Sequence, residues 1–285
     1  MKKGGFYDCV MNAGKELDRV KDYLRALAGE IQLPTRHPAQ APSYPVFPEI
    51  SVHPFRDTKS IAGVKLLQDQ FPMIREEADR LLVSDYLQYF PRGIDKVNPT
   101  QLRLKSWGLN FIYYMGEKME GAHLCPGTSE LICSLAGTCL GYPWGDAVFS
   151  VQAAGSNLSA HCSVDNLRVR CHLGLSIPDS CGIRVGEQKR KWREGECLLF
   201  DDSIEHEVWN NSKEDRLVLI LDFWNPELTE IEREVLTAGF RKSEVRKLFA
   251  PIRIRNTTAD KAVMKSLEAK FEIGDSDPLI KKYWH

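Results

Sequence analysis

Six short segments, in which apolar residues recur at every second position or fill the whole segment, most constrain what this chain can fold into. Such segments are typical of β-strands that bury one or both faces. Clusters of Gly, Asp, Asn and Pro separate them, as expected for turns. Short strands with turn signals between them predict a β-sandwich or a small barrel, including the jelly roll. The six segments are residues 107–114, 147–152, 167–177, 196–200, 205–209 and 216–224.

Amphipathic helical patterns precede these strands. Apolar residues three and four positions apart predict one helix over residues 10–31 and a second over residues 58–82. Six prolines between residues 34 and 54 predict an extended connector between the two helices. We therefore predict that residues 1–100 form a helical and proline-rich segment, packed on a β core that spans residues 101–228.

Helical signals return after the last strand segment. Thr229 and Glu232 have the spacing of a capping box, which marks the start of a helix. A last helix is predicted over residues 258–271, with Val263, Met264 and Leu267 buried. Residues 229–285 are thus predicted to form a C-terminal helical extension, and the chain as a whole is predicted to be mainly β with helices flanking the core.

Charge and hydropathy argue against several classes of function. The net charge of -1 does not favour a nucleic-acid surface or a polybasic membrane anchor. No apolar run approaches the roughly 20 residues of a membrane-spanning helix. No secretory signal is recognisable, so we expect a cytoplasmic protein. Its eight cysteines include no Cys-x-x-Cys pair, and reduced thiols are expected in that compartment.

The segment around residue 170 separates apolar from basic side chains. Arg168, Arg170 and His172 share one face of the predicted strand, and the opposite face is apolar. If the basic face is turned inward it needs an anionic partner, and an arginine binds a carboxylate through two parallel hydrogen bonds. The alternative is a solvent-exposed face, which is the more common position for two arginines in a strand. The pattern alone favours this second interpretation.

Residues 216–224 are mostly apolar on both faces, which predicts a strand buried on both sides. Arg216 stands at the start of this strand. Arginine is rarely buried without a partner. Arg216 is therefore either a candidate anchor for a dicarboxylate or a surface residue at the strand end.

Three of the seven histidines fall among the predicted strands, at His161, His172 and His206. Imidazole binds Fe(II), Zn(II), Ni(II) and Cu(II), so histidines alone do not identify a metal. Ser163 stands two positions after His161, where the common iron-oxygenase motif has a carboxylate. Asp202 and other acidic residues near His206 could hydrogen-bond a metal ligand, although turn chemistry is the more common role at such positions.

Four longer runs extend these local patterns. They are LRVRCHLGL at 167–175, WREGE at 192–196, FDDSIEHEVW at 200–209 and DFWNPEL at 222–228. Their sequences and mutual spacing resemble the catalytic domain of the aspartyl/asparaginyl β-hydroxylases, which are iron(II)- and 2-oxoglutarate-dependent dioxygenases. The resemblance covers residues 150–228 and implies a double-stranded β-helix (jelly roll, cupin-like) core.

The resemblance also implies a metal site. His161 and His206 match the two iron ligands of the family. The family characteristically lacks the third, carboxylate ligand of other iron oxygenases, and Ser163 stands at that position in this chain.

A co-substrate site is implied by the same resemblance. Ser150 and Arg216 match the pair that holds the distal carboxylate of 2-oxoglutarate. Arg170 and His172 match the pair beside its metal-binding end. The implied cofactors are therefore Fe(II), 2-oxoglutarate and O2, with ascorbate as a candidate stimulant.

The implied reaction is hydroxylation of an unactivated C–H bond. The implied substrate is a peptide or an amino-acid-derived small molecule, modified at the β-carbon of an Asp/Asn-like or related group. Trp107 and Arg168 match positions that line the family's substrate site, and Cys125 and Cys133 resemble a cysteine pair of the family at altered spacing. Two alternatives stay open: a non-catalytic jelly-roll binding module, and a zinc-dependent cupin-type hydrolase or isomerase.

Overall fold

The helices of the protein lie before and after a central set of strands, with one between them. The computed structural model describes residues 5–82, 88–89, 107–247, 267 and 270–284. Within this part of the chain the α-helices include α1 (Gly5–Met11), α2 (Asp18–Leu27), α3 (Gly63–Asp69), α4 (Phe71–Leu82), α5 (Pro126–Ser134), α6 (Glu230–Arg241) and α7 (Pro278–Tyr283).

The strands form two antiparallel sheets, and together they make a jelly-roll core. The eight-stranded sheet has the order β1-β10-β7-β12-β5-β3-β2, with β4 paired to β3, and the four-stranded sheet has the order β6-β11-β8-β9. The predicted fold class, mainly β with flanking helices, is confirmed. The strands are β1 (Phe55–Arg56), β2 (Gln88–Tyr89), β3 (Trp107–Tyr114), β4 (Glu117–Lys118), β5 (Ala147–Gln152), β6 (Ser156–His161), β7 (Arg168–Ser176), β8 (Cys181–Val185), β9 (Gln188–Arg190), β10 (Cys197–Phe200), β11 (His206–Asn210) and β12 (Arg216–Trp224).

The large sheet separates two apolar layers. On its outer face, β7 residues Val169, Cys171 and Leu173 pack with residues of helices α3, α4 and α5. Its inner face meets the small sheet across a second cluster, which includes Phe200 and Val218. Strand β12 is buried along its whole length, as its two apolar faces predict. Residues with side chains between the sheets are therefore shielded from water by both layers.

The basic face of β7 points into the space between the sheets. Arg168 is 2% exposed and His172 is 5% exposed. The preference for a solvent-exposed face is therefore wrong, and the inward alternative is correct. The reason is tertiary: β7 lies in the middle of the large sheet between β10 and β12, and the barrel interior supplies the carboxylates that the arginines need.

The periodicity of apolar residues in the sequence did not predict several short strands or the breaks within two predicted helices. Strands β6, β8 and β9 were not predicted, because they lack a clear apolar alternation over their short lengths. The helix predicted over residues 10–31 is two helices, since α1 ends at Met11 and α2 begins at Asp18 after a short 3-10 turn. The helix predicted over residues 58–82 is likewise divided, with α3 ending at Asp69.

The capping box is confirmed at the start of α6. The Thr229 side chain accepts from the Glu232 backbone, and Glu232 accepts from the Thr229 backbone in return. Most of the helix predicted over residues 258–271, including Val263 and Met264, lies outside the described residues, and Leu267 is buried as predicted. The division of the chain at residues 100 and 228 stays a prediction.

The cysteines are free thiols in this structure. Cys125 is buried, whereas the exposed Cys133 lies 3.2 Å from the hydroxyl of Tyr113, so these two residues do not form a disulfide. Among the described helices, none has the length and apolar character needed to cross a bilayer.

Candidate functional site

Two histidines face each other across paired strands of the small sheet. His161 ends β6 and His206 begins β11, and the two residues are direct partners in the antiparallel register. Their ring centroids lie 4.2 Å apart. A shift of register follows His206, which is typical of a bulge that redirects a side chain. The structure therefore brings the two predicted metal ligands together at one place.

Both imidazoles are oriented by the backbone. Nδ1 of His161 lies 2.8 Å from the carbonyl oxygen of Ser159, and Nδ1 of His206 lies 2.9 Å from that of Ile204. A ring that donates through Nδ1 carries its lone pair on Nε2, the atom that binds a metal. Burial, and then the neighbouring His161, lowers the pKa of His206 well below its ordinary range, so this ring stays neutral. A neutral ring is the form that a metal needs.

No third protein ligand joins this pair in the described part of the chain, where no group of three or more His, Cys, Asp or Glu could hold a metal ion. Ser163 instead belongs to a neighbouring hydrogen-bond network: its Oγ accepts from Arg168, and its backbone N–H donates to the carbonyl of Asp202 at 2.7 Å. Two imidazoles leave several coordination positions open, as an iron that binds a chelating co-substrate requires.

A pocket lies between the two sheets, against the strands that carry the two histidines. Leu158 and Val208 of its wall belong to β6 and β11, the strands that carry His161 and His206. Its empty space amounts to about 410 Å³, including the part open to solvent. The polar side chains that line it are Trp107, Ser150, Gln152, Ser156, Asn157, His172 and Arg216.

Arg216 is a buried cation that has no carboxylate partner within the described residues. It is 3% exposed, and its Nε and Nη1 atoms have no hydrogen-bond partner among the described residues. Its guanidinium carbon lies 4.8 Å from the ring centroid of Trp192. Burial lowers the pKa of Arg216 to about 10, which still leaves it charged at neutral pH. An orphaned buried guanidinium is costly, and an anionic ligand in the pocket would satisfy it.

His172 lies beside Arg216 with both ring nitrogens unpartnered within the described residues. It stacks on Trp192 with the ring centroids 5.9 Å apart and meets the ring of Phe200 edge-on. Burial, and then the nearby Arg216, lowers the pKa of His172 well below its ordinary range. The pocket thus contains a cation and a neutral imidazole. Among the described residues, each has buried nitrogens without a hydrogen-bond partner.

Ser150 and Trp107 complete this end of the pocket. The indole Nε1 of Trp107 donates to Ser150 Oγ at 2.9 Å, so the hydroxyl hydrogen is directed elsewhere. Ser150 is opposite Val218 in the pairing of β5 with β12, two residues from Arg216. Trp107, predicted to line the substrate site, therefore lies against the residues predicted to hold the co-substrate.

The arginines of β7 are held by carboxylates. Arg168 donates to both carboxylate oxygens of Asp202 at 3.1 Å and to the carbonyl of Trp144 at 2.9 Å. Arg170 forms a two-point contact with Asp222, at 2.9 and 2.7 Å. The prediction that Arg168 meets a substrate anion is not supported by this geometry, because the buried guanidinium is already committed to Asp202. Arg170 keeps partial exposure, with 18% of its side chain accessible.

The sequence reasoning missed the acidic half of this network. Turn chemistry was the favoured of two roles for Asp202, but its carboxylate is fully buried and paired with Arg168. The turn is made instead by Asp201, whose Oδ1 accepts from the backbone and the hydroxyl of Ser203. Only the excess of arginine on one strand face signalled that buried carboxylates must exist nearby.

Asp201 offers a test of the electrostatics near the site. Its Oδ2 is unpartnered within the described chain, and burial raises the pKa of Asp201 to about 6. Because the pKa of Asp201 is higher in the folded than in the unfolded protein, this residue adds to the free energy of unfolding below about pH 4. That contribution is lost as the pH rises through about 6. We expect Asp201→Asn to remove this pH dependence. The free energy of unfolding of wild type minus that of the variant should therefore fall by about 1–3 kcal/mol between pH 4 and pH 7.

Urea denaturation across this pH range measures the difference. The exposed Asp179 provides a matched control, and Asp179→Asn is expected to leave the pH profile of wild type unchanged. Parallel profiles for wild type and Asp201→Asn would show that Asp201 does not titrate in this way.

The amino-acid sequence of this chain is similar to that of a known protein family. The family model described as "Aspartyl/Asparaginyl beta-hydroxylase" matches residues 68–226. Mouse "Aspartyl/asparaginyl beta-hydroxylase" is 36% identical over 186 residues, which cover 64% of this chain and 24% of the mouse protein. Mouse "Aspartate beta-hydroxylase domain-containing protein 1" is 35% identical over 209 residues, which cover 70% of this chain and 56% of that protein.

Human "Aspartate beta-hydroxylase domain-containing protein 2" is 33% identical over 211 residues, covering 72% of this chain and 56% of that protein. The matched region thus spans between about a quarter and just over half of the length of these relatives. Among solved structures, AviO1 from Streptomyces viridochromogenes Tue57 is 12% identical and covers 56% of this chain and 86% of that chain, with a TM-score of 0.36. KdgF from Halomonas sp. is 10% identical and covers 52% of this chain and 99% of that chain, with a TM-score of 0.27.

Proposed function

Because this chain belongs to the aspartyl/asparaginyl β-hydroxylase family, we propose that it is an iron(II)- and 2-oxoglutarate-dependent hydroxylase. His161 and His206 are its metal ligands, and Ser150, Arg170, His172 and Arg216 form its co-substrate site. The observation that carries the proposal is the buried guanidinium of Arg216, two of whose nitrogens have no hydrogen-bond partner among the described residues, in a pocket lined by the two strands that carry the paired imidazoles. Such a site fits a dicarboxylate that reaches from a cation to a metal.

Each protein group has a separate task in this proposal. The Nε2 atoms of His161 and His206 hold the metal, with the rings oriented by backbone carbonyls. Arg216 and the hydroxyl of Ser150 bind the distal carboxylate of 2-oxoglutarate. In this proposal His172, and Arg170 held by Asp222, serve the metal-binding end of the co-substrate. Iron(II), with 2-oxoglutarate and O2, supplies the oxidation of an unactivated C–H bond, and the protein contributes orientation and a dry pocket.

His161 is exposed whereas His206 is buried, so the pair lies where the barrel opens to solvent. A substrate enters most directly from this side. We propose a peptide, or a small molecule derived from an amino acid, as the substrate class, with hydroxylation at a β-carbon. A cytoplasmic location and stimulation by ascorbate stay predictions from the sequence.

The proposal is tested by co-substrate turnover. Protein loaded anaerobically with Fe(II) and then exposed to O2 with 2-oxoglutarate and ascorbate is expected to release succinate, measured by NMR. Loading with Zn(II) should abolish the release, because zinc has no redox chemistry. Succinate release that is independent of Fe(II), or no release together with no binding of 2-oxoglutarate to the iron-loaded protein, would contradict the proposal. These outcomes also separate it from the zinc-dependent and non-catalytic alternatives.

A further inference from the structure

A segment outside the family match contacts both histidine-bearing parts of the small sheet. Residues 36–44, which we call the brace, belong to the proline-rich connector, whereas the family model begins at residue 68. None of the chemistry proposed above uses the brace. Its backbone nevertheless bonds to residues next to His161 and next to His206.

On the His206 side, the brace holds the residues that precede this ligand. The carbonyl of Ala39 accepts from the backbone N–H of Glu205 at 2.7 Å. Gln40 forms an antiparallel bridge with Ile204. The carbonyl of Ile204 is the group that orients the His206 ring. The brace therefore contacts Ile204, whose carbonyl orients the His206 ring, and the adjacent Glu205.

On the His161 side, the brace holds the residues that follow the ligand. The backbone N–H of Tyr44 donates to the carbonyl of Val164 at 2.8 Å, and that of Ser43 donates to the carbonyl of Ser163 at 3.3 Å. His161 ends β6, which is an edge strand paired only with β11 among the described residues. Edge strands open more readily than central ones because one side lacks partners. The brace therefore restrains the end of β6, the edge strand that pairs with β11 on one side.

The side chain of Gln40 connects the brace to the barrel by hydrogen bonds. Gln40 is 4% exposed, and both ends of its amide are used. Its Oε1 accepts from the backbone N–H of Arg36 at 3.1 Å, and its Nε2 donates to Ser203 Oγ at 2.9 Å. Ser203 Oγ in turn donates to Asp201 at 2.5 Å. The amide orientation is thereby determined, and Gln40 ties the connector to the turn three residues before His206.

We propose that the brace holds His161 and His206 at the separation that a shared metal ion needs, with Gln40 as the positioning residue. The inference rests on the proposed function, since it concerns the same metal site. Groups that orient metal ligands from outside the coordination sphere commonly change metal affinity about 10–100-fold when removed. A residue that serves only general stability does not have this selective effect.

The test compares Gln40→Met with a matched control in the full chain. Methionine retains most of the side-chain volume but makes neither hydrogen bond. The control is Gln68→Met: Gln68 is a half-buried glutamine of α3, whose Oε1 accepts from the backbone N–H of Cys197 on the outer side of the large sheet. The probe is Mn²⁺ alone, with the free ion measured by EPR, and hydrogen–deuterium exchange is measured on the metal-free protein.

We expect Gln40→Met to raise the Kd for Mn²⁺ about 10-fold and to speed exchange over residues 158–165 and 203–207. Gln68→Met should leave the Kd for Mn²⁺ unchanged and speed exchange only near residue 197. If Gln40→Met does not fold, Ser203→Ala removes the same contact from the other side, and a smaller rise in Kd is expected.

An unchanged Kd in Gln40→Met, or in Ser203→Ala if it takes its place, overturns the inference while leaving the proposed function intact. Equal weakening of Mn²⁺ binding by Gln40→Met and Gln68→Met overturns it as well, because the effect is then general destabilisation. Failure of wild type to bind Mn²⁺ removes the proposed function, and this inference with it.

Discussion

Replacing His206 with alanine is expected to abolish 2-oxoglutarate turnover and to leave the fold intact. The proposed metal has two protein ligands among the described residues, so the variant retains a single imidazole of this pair. Loss of an outer partner of a metal ligand costs about 10–100-fold in affinity or activity, and loss of the ligand itself is expected to exceed this range. The fold loses one hydrogen bond, from Nδ1 to Ile204, with a net worth of about 1 kcal/mol.

Succinate release and Mn²⁺ binding measure the effect, and circular dichroism reports the fold. His123 provides the control, because it is a histidine exposed on a short helix away from the paired imidazoles. His123→Ala should retain wild-type turnover and metal binding. Turnover near the wild-type rate in His206→Ala would reject the assignment of the iron site.

Replacing Arg216 with methionine is expected chiefly to weaken 2-oxoglutarate binding. The guanidinium supplies charge-assisted hydrogen bonds to the distal carboxylate, each worth about 1.5–3 kcal/mol in a buried site. Loss of two such bonds corresponds to an apparent KM for 2-oxoglutarate raised by roughly 100-fold or more. The metal should still bind, because His161 and His206 are unchanged.

The stability of the metal-free variant separates a ligand-binding role from a structural one. Arg216 is buried, and its Nε and Nη1 have no hydrogen-bond partner among the described residues, so its removal breaks no ion pair of the described chain and relieves an unsatisfied charge. We therefore expect the Tm of Arg216→Met to equal or exceed that of wild type. As a control, Arg190→Met alters an exposed arginine of β9 and should leave the KM for 2-oxoglutarate unchanged. A lowered Tm with an unchanged KM would remove Arg216 from the co-substrate site.

Several residues of the candidate site were predictable because Arg170, His172 and His206 stand in long runs, while Ser150, His161 and Arg216 lie outside those runs but within the region of resemblance. The segment around residue 170 and the segment around residue 206 resemble a family with known roles, and the structure places His161 opposite His206 and Arg216 in one pocket with Ser150. Their roles stay predictions that the experiments above address. Strands β3, β5 and β12 were predicted with the bounds that the structure has.

The partners of the site residues were not predictable in the same way. Arg168 and Asp202 are 34 positions apart in the chain, and Arg170 and Asp222 are 52 positions apart. Pairings at such distances depend on strand register, which a local pattern does not contain. For this reason the sequence did not reveal that Asp202 is the partner of Arg168, and the substrate role of Arg168 stays a prediction.

The sequence by itself determined which residues share a strand face and where α6 is capped, whereas the metal role of His161 and His206 is what the family resemblance implies. These properties depend on backbone periodicity and on side-chain chemistry within a few residues. Only the tertiary structure decided that the basic face of β7 turns inward, that Arg216 has no carboxylate partner in the described part of the chain, and that a distant connector contacts both histidine segments. The physical reason is that burial and charge compensation depend on which sheet packs on which face, and that arrangement is a property of the whole chain.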